Sequence, residues 1–158
     1  MLYSDINFFF IFVRENYIKV YNCYYQYNSI LMKLEHKHLI VRAEVNNCPK
    51  KGDLHIVLNW MNHLIKLIDM KLLQGPTISY VDQKGNRGTT CMALIETSHI
   101  VLHIWDEFEP GLFQLDLYSC KDVDINIVIN NLQESFDIKK LEYKFLDRLN
   151  NLTLVEQS

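Results

Sequence analysis

The chain has 158 residues, of which 49% are hydrophobic and 22% charged, which suits one compact domain with a core that needs neither metals nor disulfides. Its formal net charge is −3 and it has no basic block, which argues against a nucleic-acid partner, since such binding runs on clustered Lys and Arg. Four cysteines, Cys23, Cys48, Cys91 and Cys120, show no CxxC spacing and lack the density of a disulfide scaffold, so they read as reduced thiols in a cytoplasmic protein.

Residues 1–31, with "INFFFIFV" and "VYNCYYQYN", are rich in Phe, Tyr, Asn, Ile and Lys. The apolar run is too short to span a bilayer and lacks the basic flank and cleavage site of a signal peptide, so no membrane partner is expected. These residue types are those of AT-rich codons, and patterned sequence starts at Met32 with "MKLEHKHLIV". Residues 1–31 are therefore read as a doubtful N-terminal extension, upstream of a true start at Met32. The alternative is a real extra helix or strand.

"HLIVRAEV", His38 to Val45, alternates with β-branched residues and predicts a strand. The turn formers of "NNCPKKGD" follow, and Asp53 is placed to cap a helix. Leu54, Val57, Leu58, Met61, Leu64, Ile65 and Ile68 then make one apolar helical stripe. "GPTISYVD" predicts a strand after a Gly-Pro break, and "QKGNRG" a turn. "TTCMALIE" and "IVLHIWDE" are two apolar strands separated only by "TSH". After the turn "FEPG", "LFQLDLYSC" alternates as another strand. Asp122 or Asp124 opens a second helix with Ile125, Val128, Ile129, Leu132 and Phe136 on one face. "IKKLEYKFL" closes as an edge-like strand guarded by lysines.

The order β-α-β-β-β-β-α-β with short turns predicts an α+β two-layer sandwich, an antiparallel β-sheet with two main helices packed on one face. The domain is expected over 32–147, with 148–158 as a polar tail.

Four reactive groups gather on neighbouring strands. Ser98 is a potential nucleophile, His99 and His103 are potential bases, Cys120 ends the next strand and Thr90 starts the previous one. Each has a plainer reading: Ser98 as a turn residue, the histidines as structural hydrogen-bonders, Cys120 as a small buried hydrophobe, Thr90 as an ordinary strand residue. A Ser-His-Asp hydrolase is poorly supported, because there is no GxSxG and Asp116 is one acid among many. No metal is expected, since nothing completes a zinc spacing around His99 and His103.

"GTTCMALIETSHIVLHIWDE…LDLYSC" resembles the prokaryotic S-adenosylmethionine decarboxylase family. That family carries a Gly-rich strand start, then Glu-Ser-His, then His-Thr-Trp-Pro-Glu, then a strand with an Asp and a terminal Cys. Gly88 holds the strand start and Thr90 the hydroxyl position involved in processing. Ser98-His99 matches the Ser-His pair. His103, Trp105 and Glu107 match the next motif, and Asp116 and Cys120 the last strand. The match follows element order over residues 36–147 and is tight in spacing from Gly88 to Cys120. Thr97 stands in place of the family's Glu, Ile104 in place of Thr and Asp106 in place of Pro, and the turn before the last strand is longer by about two residues. Alternation puts neighbours on opposite faces, so Glu96 does not simply inherit the missing side chain's position.

The resemblance implies a self-cleaving proenzyme. Ser98 would attack the Thr97 carbonyl, the chain would part between Thr97 and Ser98, and Ser98 would become a pyruvoyl cofactor. His103 would be the processing base and Thr90 the processing hydroxyl. The pyruvoyl ketone would take the substrate amine as a Schiff base, and Cys120 would donate the proton after decarboxylation. Glu107 would lie near the substrate. The default substrate is S-adenosylmethionine, giving the aminopropyl donor for spermidine synthesis, with a homodimer of cleaved protomers. A decarboxylase of another amino acid, arginine or ornithine, stays open, as does an unprocessed regulatory or binding relative. Alternation sets Ser98 and His103 on opposite faces, so "TSH" is predicted to turn or bulge for them to meet.

Overall fold

A computed structural model of the protein describes residues 35–158, together with the backbone of 11–14 and 17–20. The chain divides into units 1–33 and 34–158. In the first, β1 (Ile11–Arg14) and β2 (Tyr17–Val20) pair as an antiparallel hairpin. The expected start at Met32 concerns a position outside the described residues.

The second unit runs β3 (Lys37–Val45), α1 (Leu54–Leu67), β4 (Leu72–Val81), β5 (Gly88–Ile95), β6 (Ser98–Trp105), β7 (Gly111–Ser119), α2 (Ile125–Ser135), β8 (Ile138–Asp147) and β9 (Thr153–Gln157). Seven strands form one antiparallel sheet in the order β4-β5-β6-β7-β3-β8-β9. The fold is the α+β sandwich that the element order predicts.

Alternation decides which face the helices cover. On β6, Ile100, Leu102 and Ile104 are buried, while His99, Val101, His103 and Trp105 lie on the opposite, open face. Cys91, Ala93 and Ile95 of β5 and Phe113, Leu115 and Leu117 of β7 join the buried layer. Met61, Leu64 and Ile65 of α1 and Val128 and Leu132 of α2 close it. Burying side chains of this size contributes about 1.5–3 kcal/mol each. Trp60 falls outside the predicted stripe yet is buried, edge-on to Phe136 at 5.6 Å. Asp124 caps α2 by accepting from the Asn126 amide. Asp53 precedes α1 but turns its carboxylate back to the Lys50 amide. Among the described residues no helix is long and apolar enough to cross a membrane.

Three elements differ from the sequence reading. β4 starts at Leu72 and continues through Gly75-Pro76, with register shifts on either side of Gln74. It is an edge strand, where a proline removes no inner ladder bond. β8 is an inner strand, because Thr153–Gln157 of the expected polar tail pairs with it as β9. The tail is polar and exposed as expected, and supplies the short edge itself.

Gly88 is required for space. A Cβ there would collide with the Ile104 carbonyl on the paired strand. Gly88→Ala should therefore push β5 from β6 and cost about 1–3 kcal/mol, read as a lower urea midpoint with an unchanged slope.

Candidate active site

The β5–β6 connection is two residues, Glu96 and Thr97, between the paired Ile95 and Ser98. Two-residue hairpins normally take positive φ inside the loop. Here neither loop residue does, and the reversal is completed at Ser98, whose φ is 143°. Side-chain-bearing residues rarely adopt that value, and such strain costs on the order of 1–3 kcal/mol. The predicted turn in "TSH" is thus present, with its distortion centred on Ser98.

Ser98 meets Cys120 rather than His103. Its Oγ lies 3.4 Å from Cys120 Sγ. The Thr97 carbonyl, directly before Ser98, accepts a 2.8 Å hydrogen bond from the Cys120 amide. Thr97 Oγ1 points to Met70 Sδ at 3.1 Å and accepts from Ser119 Oγ at 3.3 Å. Glu96 pairs with Lys71 at 3.3 Å on the surface and leaves the acid position beside Ser98 unfilled.

Thr90 and His103 form a second group. They are register partners across β5 and β6, with Thr90 Oγ1 and His103 Nδ1 3.0 Å apart. The His103 ring lies 5.8 Å from the Trp105 ring. Five residues of extended strand separate His103 from Ser98, a span of ~17 Å. Between the two groups the open face carries a depression of about 530 Å³, bounded by His99 and Asp116 towards Ser98 and by His103 and Gln114 at the other end.

Asp116 is held by two imidazoles, His38 at 3.0 Å and His99 at 3.2 Å. The hydrogen bond from His38 is the main reason its carboxyl stays below the usual carboxylate range. Tyr118 follows on the same face, hydrogen-bonded to His36. His36, His38 and Tyr118 were not singled out from sequence. They converge from segments about 80 residues apart, and only the β3–β7 register brings them together.

Glu107 lies beyond the far end of β6 from Ser98. Its carboxylate accepts from the Gly85 amide at 2.7 Å, tying the β4–β5 turn. Asp106, in the position of the family's Pro, is buried and accepts from the Tyr80 hydroxyl at 3.0 Å.

The thiols differ sharply. Burial pushes Cys48 up to about 12 and Cys91 up to about 11, which makes both inert. Cys120 is half-buried, beside Ser98. Among the described residues no three His, Cys, Asp or Glu are grouped to hold a metal.

A family model described as S-adenosylmethionine decarboxylase matches residues 37–149, well over half of the chain, and spans both groups.

Proposed function

The chain belongs to the S-adenosylmethionine decarboxylase family, and from that membership we propose a self-processing enzyme that cuts itself between Thr97 and Ser98, converts Ser98 to a pyruvoyl group and then decarboxylates S-adenosylmethionine. The observation that carries this reading is the strained Ser98 placed after a Thr97 carbonyl that already holds the Cys120 amide.

Ser98 Oγ attacks the Thr97 carbonyl carbon, and the peptide bond becomes an ester with the Ser98 nitrogen released as an amine. The Cys120 N–H is placed to steady the oxyanion on the way. Rearrangement also frees Ser98 from its unfavourable φ. A base then takes the Ser98 Cα proton, the ester C–O bond breaks, and Thr97 leaves as a carboxylate. The dehydroalanine left behind gains water and loses ammonia to give the pyruvoyl ketone. That group supplies the electron sink that pyridoxal phosphate provides elsewhere. Cys120 holds the proton that replaces the departing carboxylate.

His103 is the proposed base. Donating its Nδ1–H to Thr90 leaves Nε2 unprotonated for that task. The ~17 Å between His103 and Ser98 within one chain argues that the base comes from a second copy. A two-fold pair brings each Ser98–Cys120 group to the Thr90–His103 group of the other chain. The open face, with Ile40 and Met92 more than two-fifths exposed, suits such a homodimer. Glu107 would then act, if near substrate, from the His103 side of the site. We place the enzyme in the cytoplasm, where Cys120 stays reduced, supplying the aminopropyl donor for spermidine synthesis.

One observation favours a second reading, an unprocessed binding relative: Thr97 replaces an acid and engages Met70 and Ser119 instead. An intact mass spectrum of the purified protein separates the two. The processing reading expects two chains divided between Thr97 and Ser98, the second with a pyruvoyl-blocked N-terminus. A single chain after long incubation would overturn it. Carbon dioxide release from S-adenosylmethionine, arginine and ornithine then assigns the substrate, with the first expected to be strongly preferred.

A further inference from the structure

We propose that Tyr118, backed by His36, returns a proton to Cys120 after each turnover, so that the chain carries a relay from the reacting centre to water. The proposal rests on the reading of Cys120 as proton donor given above.

The geometry is that of a connected path. Tyr118 and Cys120 are two residues apart at the end of β7, on the same side of the strand. The Tyr118 hydroxyl is hydrogen-bonded to His36 Nδ1, and the two rings stack at 6.0 Å. His36 is held in place from both sides of its backbone. The Glu35 amide donates to the Cys120 carbonyl at 3.3 Å, and the Arg148 amide donates to the His36 carbonyl at 2.6 Å. The segment carrying His36 is thus tied directly to the residue it serves. Beyond Cys120 the path ends at Ser98 Oγ, 3.4 Å from the thiol.

Each donation breaks the Cys120 S–H bond and leaves a thiolate. Tyr118 O–H gives its proton to that sulfur, and the phenolate takes one from protonated His36 at Nδ1. His36, half-buried, regains its proton from water. The net change is one proton drawn from solvent. The groups that face Tyr118 are His36, His38, His99, Cys120 and Arg148. Burial, and then the Cys120 sulfur, push the Tyr118 hydroxyl above its usual range, which keeps it protonated between turnovers. The Arg148 guanidinium, 4.4 Å over the ring, works the other way and steadies the transient phenolate.

The test uses the full chain. Tyr118→Phe should still cleave, keep its first-turnover rate and KM, and lose about tenfold in steady-state kcat, because only the refilling of Cys120 is slowed. His36→Ala should slow severalfold and recover when imidazole is added, which a merely structural role would not produce. A third readout needs no activity. In the uncut Ser98→Ala protein, iodoacetamide labelling of Cys120, followed by mass spectrometry of its peptide, should be several times slower when Tyr118 is also Phe. Steady-state rates equal to those of the unaltered enzyme would overturn the relay and leave the Cys120 assignment standing. If the unaltered protein cleaves but decarboxylates nothing, the proposed function fails. The labelling then decides alone, and equal labelling rates would overturn the link between Tyr118 and Cys120.

Discussion

Ser98→Ala leaves one uncut chain, and so does His103→Ala, but the two variants expressed together recover cleavage. The first loss is absolute, because only a hydroxyl at 98 can take over the Thr97 acyl group and then be eliminated. The second follows if His103 Nε2 removes the Cα proton, since the Thr90 hydroxyl left behind is no base at neutral pH. Recovery follows from the ~17 Å between the groups. In a mixed pair, the chain altered at His103 keeps its Ser98, and the chain altered at Ser98 lends it an intact His103. One site of the two is then complete. Random pairing in a two-fold dimer should cut about half of the His103→Ala chains and none of the Ser98→Ala chains. Intact mass spectrometry reads both populations at once. If mixing restores nothing while each variant folds and pairs normally, the site is built within one chain and the strand must rearrange to close it.

The alternation of β6 was legible in the sequence. Ile100, Leu102 and Ile104 declare one face, and His99 and His103 the other. That pattern also posed the central problem, since it sets Ser98 and His103 apart. The expected remedy was a local turn. The turn exists, but it delivers Ser98 to Cys120. No one-dimensional pattern reveals this, because the φ of Ser98 depends on a two-residue loop pinned by Lys71 and by the Cys120 amide. Pro76 misled for a related reason: a proline reads as a strand breaker until the strand is known to be an edge. His36 and Tyr118 were invisible as partners because their register passes through β3, whose neighbours β7 and β8 are both distant in sequence.

Cys120→Ala separates two jobs that one residue is proposed to hold. The backbone amide that donates to the Thr97 carbonyl survives the substitution, so the oxyanion contact survives with it. The thiol does not, and with it go the 3.4 Å contact to Ser98 Oγ and the proton for the product. Cleavage should therefore continue at least in part, slowed by the looser hold on Ser98. Decarboxylation should fall about 100-fold, within the range that a positioned general acid contributes. What product forms should include wrongly protonated material, visible by mass spectrometry of the reaction mixture. Cys91→Ala serves as the control. Its thiol is fully buried against the helices, so its loss should lower stability and leave turnover per cleaved chain unchanged. A fully active Cys120→Ala enzyme would remove the thiol from the chemistry and leave the amide as the residue's whole contribution. An uncut one would mean instead that the thiol, through its hold on Ser98 Oγ, is needed for the acyl shift itself.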